Sequence, residues 1–481
     1  MVKSRAEIAN FQSKLEEFAV FTEAVFQGDN ESYKTQLLGK VGHFFRKGID
    51  SFLPTSKLGF LNKKAKKQKV KIDLPDELWI KILGYMKNHD VFQNFALTCK
   101  HFNNLSLDPS IIKSLHLSNV DEIDQEYVIK VLQRSKFMTK IEIVECNIFA
   151  DILYTSLQLC PKLKSVTIRN FKKIKNQIRL VNTILQNYGK NLELLSLVID
   201  GYSNISEATI TKLTNLKVLV LRNYEIKLTS RHLLALADNP TNMEKLQVTV
   251  LWDKDLDLAF KTFLKASGKT LKNLKIVNEI YDDHMRLVRN AGTWTKYLTM
   301  SQSLEKLEIE SGSRVILKNI SVLPKLKFLK LVEIGNDESS SLVSENIDNL
   351  FERLDLEAME DLAMIQMKIS LDNFLLLANR NFPKLKHICF DGCTGLKLNE
   401  NAFKRMISNS PQLKTIHVGD SEINLTNEQL YQLKEQNRVV IGVGDEKNEQ
   451  LKKYIRYKFP KSARKYLSLE MCVLCKHFMN V

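Results

Sequence analysis

From Ile112 to about Val443 a six-residue signature keeps returning, with apolar side chains at its first, fourth and sixth positions. Leu216/Leu219/Leu221 is one copy and Leu271/Leu274/Ile276 another. Further copies are Ile112/Leu115/Leu117, Met138/Ile141/Ile143, Leu163/Val166/Ile168, Leu192/Leu195/Leu197, Met243/Leu246/Val248, Leu304/Leu307/Ile309, Leu326/Leu329/Leu331, Phe351/Leu354/Leu356, Leu385/Ile388/Phe390 and Leu413/Ile416/Val418. These twelve copies begin 22 to 34 residues apart. The last two apolar positions of each are two apart, so they share one side of a short strand. Between copies, apolar residues recur at three or four in Ala150 to Cys160, Leu180 to Tyr188, Arg231 to Ala237, Leu256 to Ala266, Asn373 to Asn379 and Asn401 to Ile407, which predicts helices. A strand that returns through a helix to a parallel neighbour builds a curved solenoid, each coil stabilised mainly by the next.

A period of this length with this spacing resembles the leucine-rich repeat. The fold class expected is α/β, a leucine-rich repeat solenoid or horseshoe over 112–443, with short strands inside and helices on the convex back. Cys160-Pro161-Lys162-Leu163 precedes one strand in the manner of that repeat, and Cys146 and Cys393 stand where it places an asparagine or cysteine. Phe171 and Tyr224 occupy the same position elsewhere, so the solenoid is expected to be irregular. Strand side chains that alternate with the core positions would line the concave face and meet a target protein: Lys245, Gln247, Asn273, Lys275, Lys306, Glu308, Phe328, Lys330, Arg353, Asp355, His387, Thr415 and His417. Gly335 to Asn349 is polar and reads as a loop, while Asn437 to Val443 reads as the last strand. Trp294 and Tyr297 fall in a stretched repeat, where packing into the convex layer is expected ahead of a role in a pocket.

Before the repeats the pattern changes. Ile8, Phe11, Leu15, Phe18 and Val25, then Tyr33, Leu37, Val41, Phe44 and Phe45, fall at helical spacing over 1–61. A basic linker at 62–71 carries Lys63, Lys64, Lys66, Lys67 and Lys69, either a nuclear import signal or a solvated connector. From Ile72, Leu74-Pro75-Asp76-Glu77-Leu78 opens a helix, with proline early and acids in the first turn. Ile82-Leu83, Tyr85-Met86, Asp90-Val91-Phe92, Ala96-Leu97 and Cys99-Lys100-His101-Phe102 continue a small all-α bundle too short to be very stable alone.

In order and spacing these residues resemble an F-box over 72–111, and their place before a repeat array resembles the F-box and leucine-rich repeat family. Trp79 is bulkier than is usual at its position, and Phe102 stands where tryptophan is frequent. The resemblance implies a non-catalytic substrate receptor of an SCF-type ubiquitin ligase, its F-box held by a Skp-family adaptor and through it a cullin and a RING subunit. It carries the adaptor face onto Leu74, Pro75, Leu78, Ile82, Leu83 and Met86, with Val91, Phe92 and Leu97 as further candidates. The alternative is a repeat scaffold or nuclear interaction protein with an F-box-like cap.

Composition narrows the field further. The net charge of +16 lies mostly in the flanks, at 62–71 and in the tail at 444–481, so nucleic acid is not the expected partner of the repeats. No apolar run approaches the length of a membrane span, and seven scattered cysteines argue for reduced thiols in nucleus or cytoplasm. Cys472 and Cys475 lack a second ligand pair for zinc, and neither a phosphate-binding glycine loop nor a hydrolase motif occurs, so no metal, cofactor or catalytic residue is expected.

Overall fold

A computed structural model describes residues 75–85, most of 100–424 and two short strands at 440–442 and 467–468. The chain divides into two compact units, Met1–Ile112 and Lys113–Val481. The expected N-terminal helices, the basic linker and the Cys472/Cys475 segment lie outside the described residues.

In the first unit, α1 spans Asp76–Tyr85 and α2 spans Lys100–Leu105. Pro75 pre-sets the entry to α1, and its carbonyl accepts from the Leu78 amide at 3.0 Å, while Asp76 and Glu77 complement the positive end of the helix. Trp79 is buried and meets Phe102 of α2 edge to face, ring centroids 4.8 Å apart. The two residues that depart from the expected F-box pattern are therefore in direct contact with each other. His101 reaches Asp76 at 3.2 Å beside it.

The second unit is built on one long parallel sheet. Its strands are β1 (Ser114–Ser118), β2 (Lys140–Val144), β3 (Ser165–Phe171), β4 (Leu194–Ile199), β5 (Val218–Leu221), β6 (Lys227–Leu228), β7 (Lys245–Val250), β8 (Asn273–Asn278), β9 (Lys306–Gly312), β10 (Phe328–Ile334), β11 (Asp361–Ile365), β12 (His387–Cys389), β14 (Thr415–His417), β16 (Val440–Gly442) and β17 (Leu467–Ser468). They follow chain order, except that β6 adds only to β7, and β13 (Lys397–Asn399) pairs with β15 (Glu422–Asn424) in a separate ribbon. Register puts like repeat positions side by side, as in Leu219 beside Leu246 and Leu274 beside Leu307, and the apolar repeat positions are buried. Each apolar row thus continues into the next coil, which is why the sheet is stable only as an array.

Three expectations fail here. Phe351/Leu354/Leu356 is not a strand copy, because Ser341–Arg353 is a helix. Ile347, Leu350, Phe351 and Leu354 are all buried at the spacing of a helical stripe, and the strand begins later, with Met359, Leu362 and Met364 in the apolar positions. Nor is Gly335 to Asn349 simply a loop, since its second half belongs to that helix. The sheet also runs past Val443, because Leu467–Ser468 pairs with β16.

The convex layer holds α3 (Gln177–Tyr188), α4 (Glu207–Ile210), α5 (Ser230–Asp238), α6 (Leu256–Ser267), α7 (Ser341–Arg353), α8 (Leu371–Ala378) and α9 (Glu400–Ser408). The Ser370 hydroxyl accepts from the Asn373 amide while the Asn373 side chain returns to the Ser370 amide, a reciprocal cap that starts α8. Trp294 is fully buried, stacked on Phe260 of α6 at 4.4 Å, with its indole nitrogen donating to Asn278 at 3.0 Å. It packs between the layers instead of lining a pocket.

One rim of the sheet carries a second pattern. The residue after each first apolar position reads Lys164, Glu193, Lys217, Glu244, Lys272, Glu305, Lys327, Glu360 and Lys386, alternating in sign across nine consecutive coils. Glu193 bridges Lys164 at 2.9 Å and Lys217 at 3.1 Å; Glu244 meets Lys272 at 3.1 Å, Glu305 meets Lys327 at 2.8 Å, and Glu360 meets Lys386 at 2.5 Å. Beneath the side chains the backbone repeats the same link, with the Glu193 amide donating to the Lys164 carbonyl and the Lys217 amide to that of Glu193.

Candidate functional site

The F-box helix presents its first turn to solvent. Pro75 is exposed and Leu78 is 41% exposed, an isolated apolar side chain on a polar turn. Ile82 lies one turn further along α1. Leu83, on the same helix, is fully buried. Leu74, Met86, Val91, Phe92 and Leu97 lie outside the described residues, as do Lys63, Lys64, Lys66, Lys67 and Lys69.

On the sheet, successive side chains alternate between the core and the concave face. Lys245, Asn273, Lys306, Phe328, His387 and Thr415 form one row across the strands, and Gln247, Lys275, Glu308, Lys330, Cys389 and His417 form the next. Arg353 is corrected: it ends α7, on the convex side of the repeat, and Asp361 and Ala363 fill the row positions expected of Arg353 and Asp355. Asp355 lies outside the described residues. A third row, beyond the six-residue signature, adds Arg169, Thr249, Val277, Glu310 and Val332, with Arg222 following β5 at the same level.

The second row is far more buried than an open surface would leave it. Lys275 is 7% exposed, Glu308 6% and Lys330 2%. Parallel strands set neighbouring side chains about 4.8 Å apart, so long side chains in a row cover one another. Their charges are matched: Lys275 lies 3.5 Å from Glu308 and 3.4 Å from Glu310, and Lys306 lies 2.9 Å from Glu308. Burial alone would raise the Glu308 pKa, but Lys275, Lys306 and Lys330 pull it down to about 2. Lys306 also sits over the Phe328 ring at 4.0 Å.

Lys245 is differently placed. Burial, then the positive charges of Arg222, Lys306 and Arg169, hold its pKa below the usual lysine value, with Glu308 opposing them. Arg222 donates to the Gln247 side chain at 2.9 Å, and its Nε is buried without a hydrogen-bond partner. Ser196 Oγ, Asn273 Oδ1, Asp361 Oδ1 and His417 Nε2 are likewise buried and unpartnered. Of the six such side-chain atoms among the described residues, only Ser301 Oγ lies away from the concave rows.

Toward β14 the face changes to His387, bonded to Thr415 at 2.7 Å, and His417, whose Nδ1 lies 3.6 Å from Cys389 Sγ and 4.0 Å from Asp391. Thiol and carboxylate both approach Nδ1, so the ring does not bridge them through its two nitrogens as a proton relay would. No cluster of three or more metal-ligating side chains occurs among the described residues. Nor, among them, is any helix long and apolar enough to cross a membrane.

Comparison with known protein families matches residues 72–114 to the F-box domain. No curated protein matches the chain. Among solved structures it is similar to the chain in "Crystal structure of Rad7 and Elc1 complex in yeast", at 13% identity over 82% of this chain and 95% of that one, TM-score 0.43. It is also similar to "Crystal structure of TLR13-ssRNA13 complex", at 14% identity over 69% of this chain and 53% of that one, TM-score 0.38. Likenesses this distant add nothing to the residue-level geometry, and the repeat architecture stands on the chain's own in-register parallel sheet. The class is thus a repeat solenoid preceded by an F-box. The chain carries a segment matching the F-box domain at 72–114, followed by an in-register parallel repeat sheet.

Proposed function

We propose that this protein is the substrate-recognition subunit of an SCF-type ubiquitin ligase. The F-box docks on a Skp-family adaptor through Pro75 and Leu78, and the concave face of the sheet holds a target protein. The observation that carries this reading is the F-box match at 72–114, with Leu78 exposed on the first turn of its helix and a long parallel repeat sheet following in the chain. An exposed leucine beside a proline gains by burial against an apolar adaptor surface. The contribution to catalysis is positional: one part fixed to the ligase and another holding the target raises the local concentration of target lysines near the charged conjugating enzyme, whose chemistry belongs to other subunits.

The test is affinity co-purification of wild type beside a Pro75→Ala, Leu78→Lys variant, scored for adaptor and cullin. Leu78→Lys puts a charge in the apolar contact and is expected to abolish recovery. Because Leu78 is exposed, the variant should still fold, as a thermal melt would verify. Absence of adaptor from both samples would sink the receptor reading and leave a repeat scaffold with an F-box-like cap.

A further inference from the structure

The concave face between β3 and β10 is not neutral. Its three rows present Arg169, Arg222, Lys245, Lys275, Lys306 and Lys330 against two acids, Glu308 and Glu310. Those acids are occupied by the lysines on β8 and β9, since Glu308 and Glu310 share Lys275 and Glu308 also takes Lys306. Arg169, Arg222 and Lys245, toward β3, have no acid in any of the rows from β3 to β7. The buried, unpartnered Nε of Arg222 lies at this end of the face, and Ser196 Oγ, also buried and unpartnered, stands on the adjacent strand.

We infer that this end of the concave face takes an acidic segment of the target protein, with Arg222 and Lys245 as its principal anion contacts and Arg169 at the margin. Arg222 spends one guanidinium nitrogen on Gln247 and has no acid beside it in these rows, and guanidinium-to-oxyanion hydrogen bonds are among the stronger polar contacts. Cations crowded together repel, so a partner anion here relieves an existing cost and adds its own attraction. The buried Lys275–Glu308–Lys306 group beside it is already satisfied and serves as a rigid wall. This inference rests on the reading of the concave face as the target surface, while its chemistry stands apart from adaptor binding.

The experiment uses the full chain and a fluorescent synthetic Glu-rich peptide, the same peptide with Gln at every Glu, and a version with phosphoserine in place of Glu. The Glu-rich or the phosphoserine peptide is expected to bind, and the neutral one to bind at least about tenfold more weakly. The stronger of the two acidic peptides tells which oxyanion the site takes. An Arg222→Gln, Lys245→Gln variant is expected to lose at least about tenfold in affinity, while a Lys261→Gln, Lys265→Gln variant, with the same charge change on the exposed side of α6, keeps it. Equal loss in both variants would overturn the site in favour of bulk charge, and failure of both acidic peptides to bind would overturn it outright. Tighter binding of a single-stranded oligonucleotide than of either peptide would also overturn it. A melt of the Arg222/Lys245 variant within a few degrees of wild type separates site loss from unfolding. Adaptor co-purification run alongside separates this inference from the receptor reading: peptide binding without adaptor defeats only the latter, and adaptor binding without peptide defeats only the former.

Discussion

Glu308 shows how a buried carboxylate is kept charged. Its pKa of about 2 against an ordinary 4.5 means that the folded chain holds the proton more weakly than the unfolded chain does. The stabilisation is therefore complete above pH about 4.5 and is lost as pH falls toward about 2, a difference on the order of 3 kcal/mol. Urea unfolding of wild type and Glu308→Gln should differ clearly at neutral pH, with wild type the more stable, and the gap should close on acidification through that window. A gap independent of pH would show that shape, not charge, holds this group together. Cys160 and Cys393 make the opposite case: burial pushes their thiols up to about 11 and about 12, and Cys393 donates to the Met364 carbonyl at 3.2 Å. Both should resist alkylation in the native protein and label only on unfolding, which mass spectrometry would read directly. Trp79 and Phe102 pack edge to face, so Phe102→Trp should overpack α1 against α2 and cost about 1–3 kcal/mol. Adding Trp79→Leu should recover part of that loss, and additive losses in the double variant would disprove the pairing.

At the scale of elements, what the sequence makes legible follows from how many sides of an element are buried. Strands such as Lys306–Gly312 alternate apolar and polar residues, so their register can be read before any coordinates. The strand Asp361–Ile365 is different: Leu362, Ala363, Met364 and Ile365 are all buried, so the alternation that would mark it is missing. Phe351, Leu354 and Leu356 imitate the repeat spacing nearby, yet Phe351 and Leu354 belong to a stripe with Ile347 and Leu350 that only a helix can align. Positions four and three apart satisfied both periods, and the polar segment upstream hid the start of α7. Phe351→Ala should accordingly behave as a helix-core deletion, destabilising by about 3 kcal/mol in a denaturant melt, whereas Arg353→Ala on the exposed end of α7 should be near neutral and leave target binding unchanged. The candidate site divides in the same way. Lys245 and Lys306 could be placed from the signature, but Arg169, Arg222 and Glu310 fall just after it, where nothing in the six-residue pattern says which way they point. At Leu83 the apolar pattern reported burial correctly and could not say whether the bundle or a partner supplies the cover.

At the scale of the whole molecule, the described strands form an open parallel sheet with no closing contact among them, so every coil depends on its neighbours. The rim of alternating Lys and Glu adds a rule to that dependence. Each of its pairs is at least partly exposed and so screened, and none matters much alone. Their order, however, is that of a two-letter alphabet with a fixed parity. Excising one internal coil would seat lysine beside lysine or glutamate beside glutamate at the scar, whereas excising two adjacent coils would leave the alternation intact. Such an array grows and shrinks most smoothly in twos, and within this stretch the smallest interchangeable piece of the protein is the couplet.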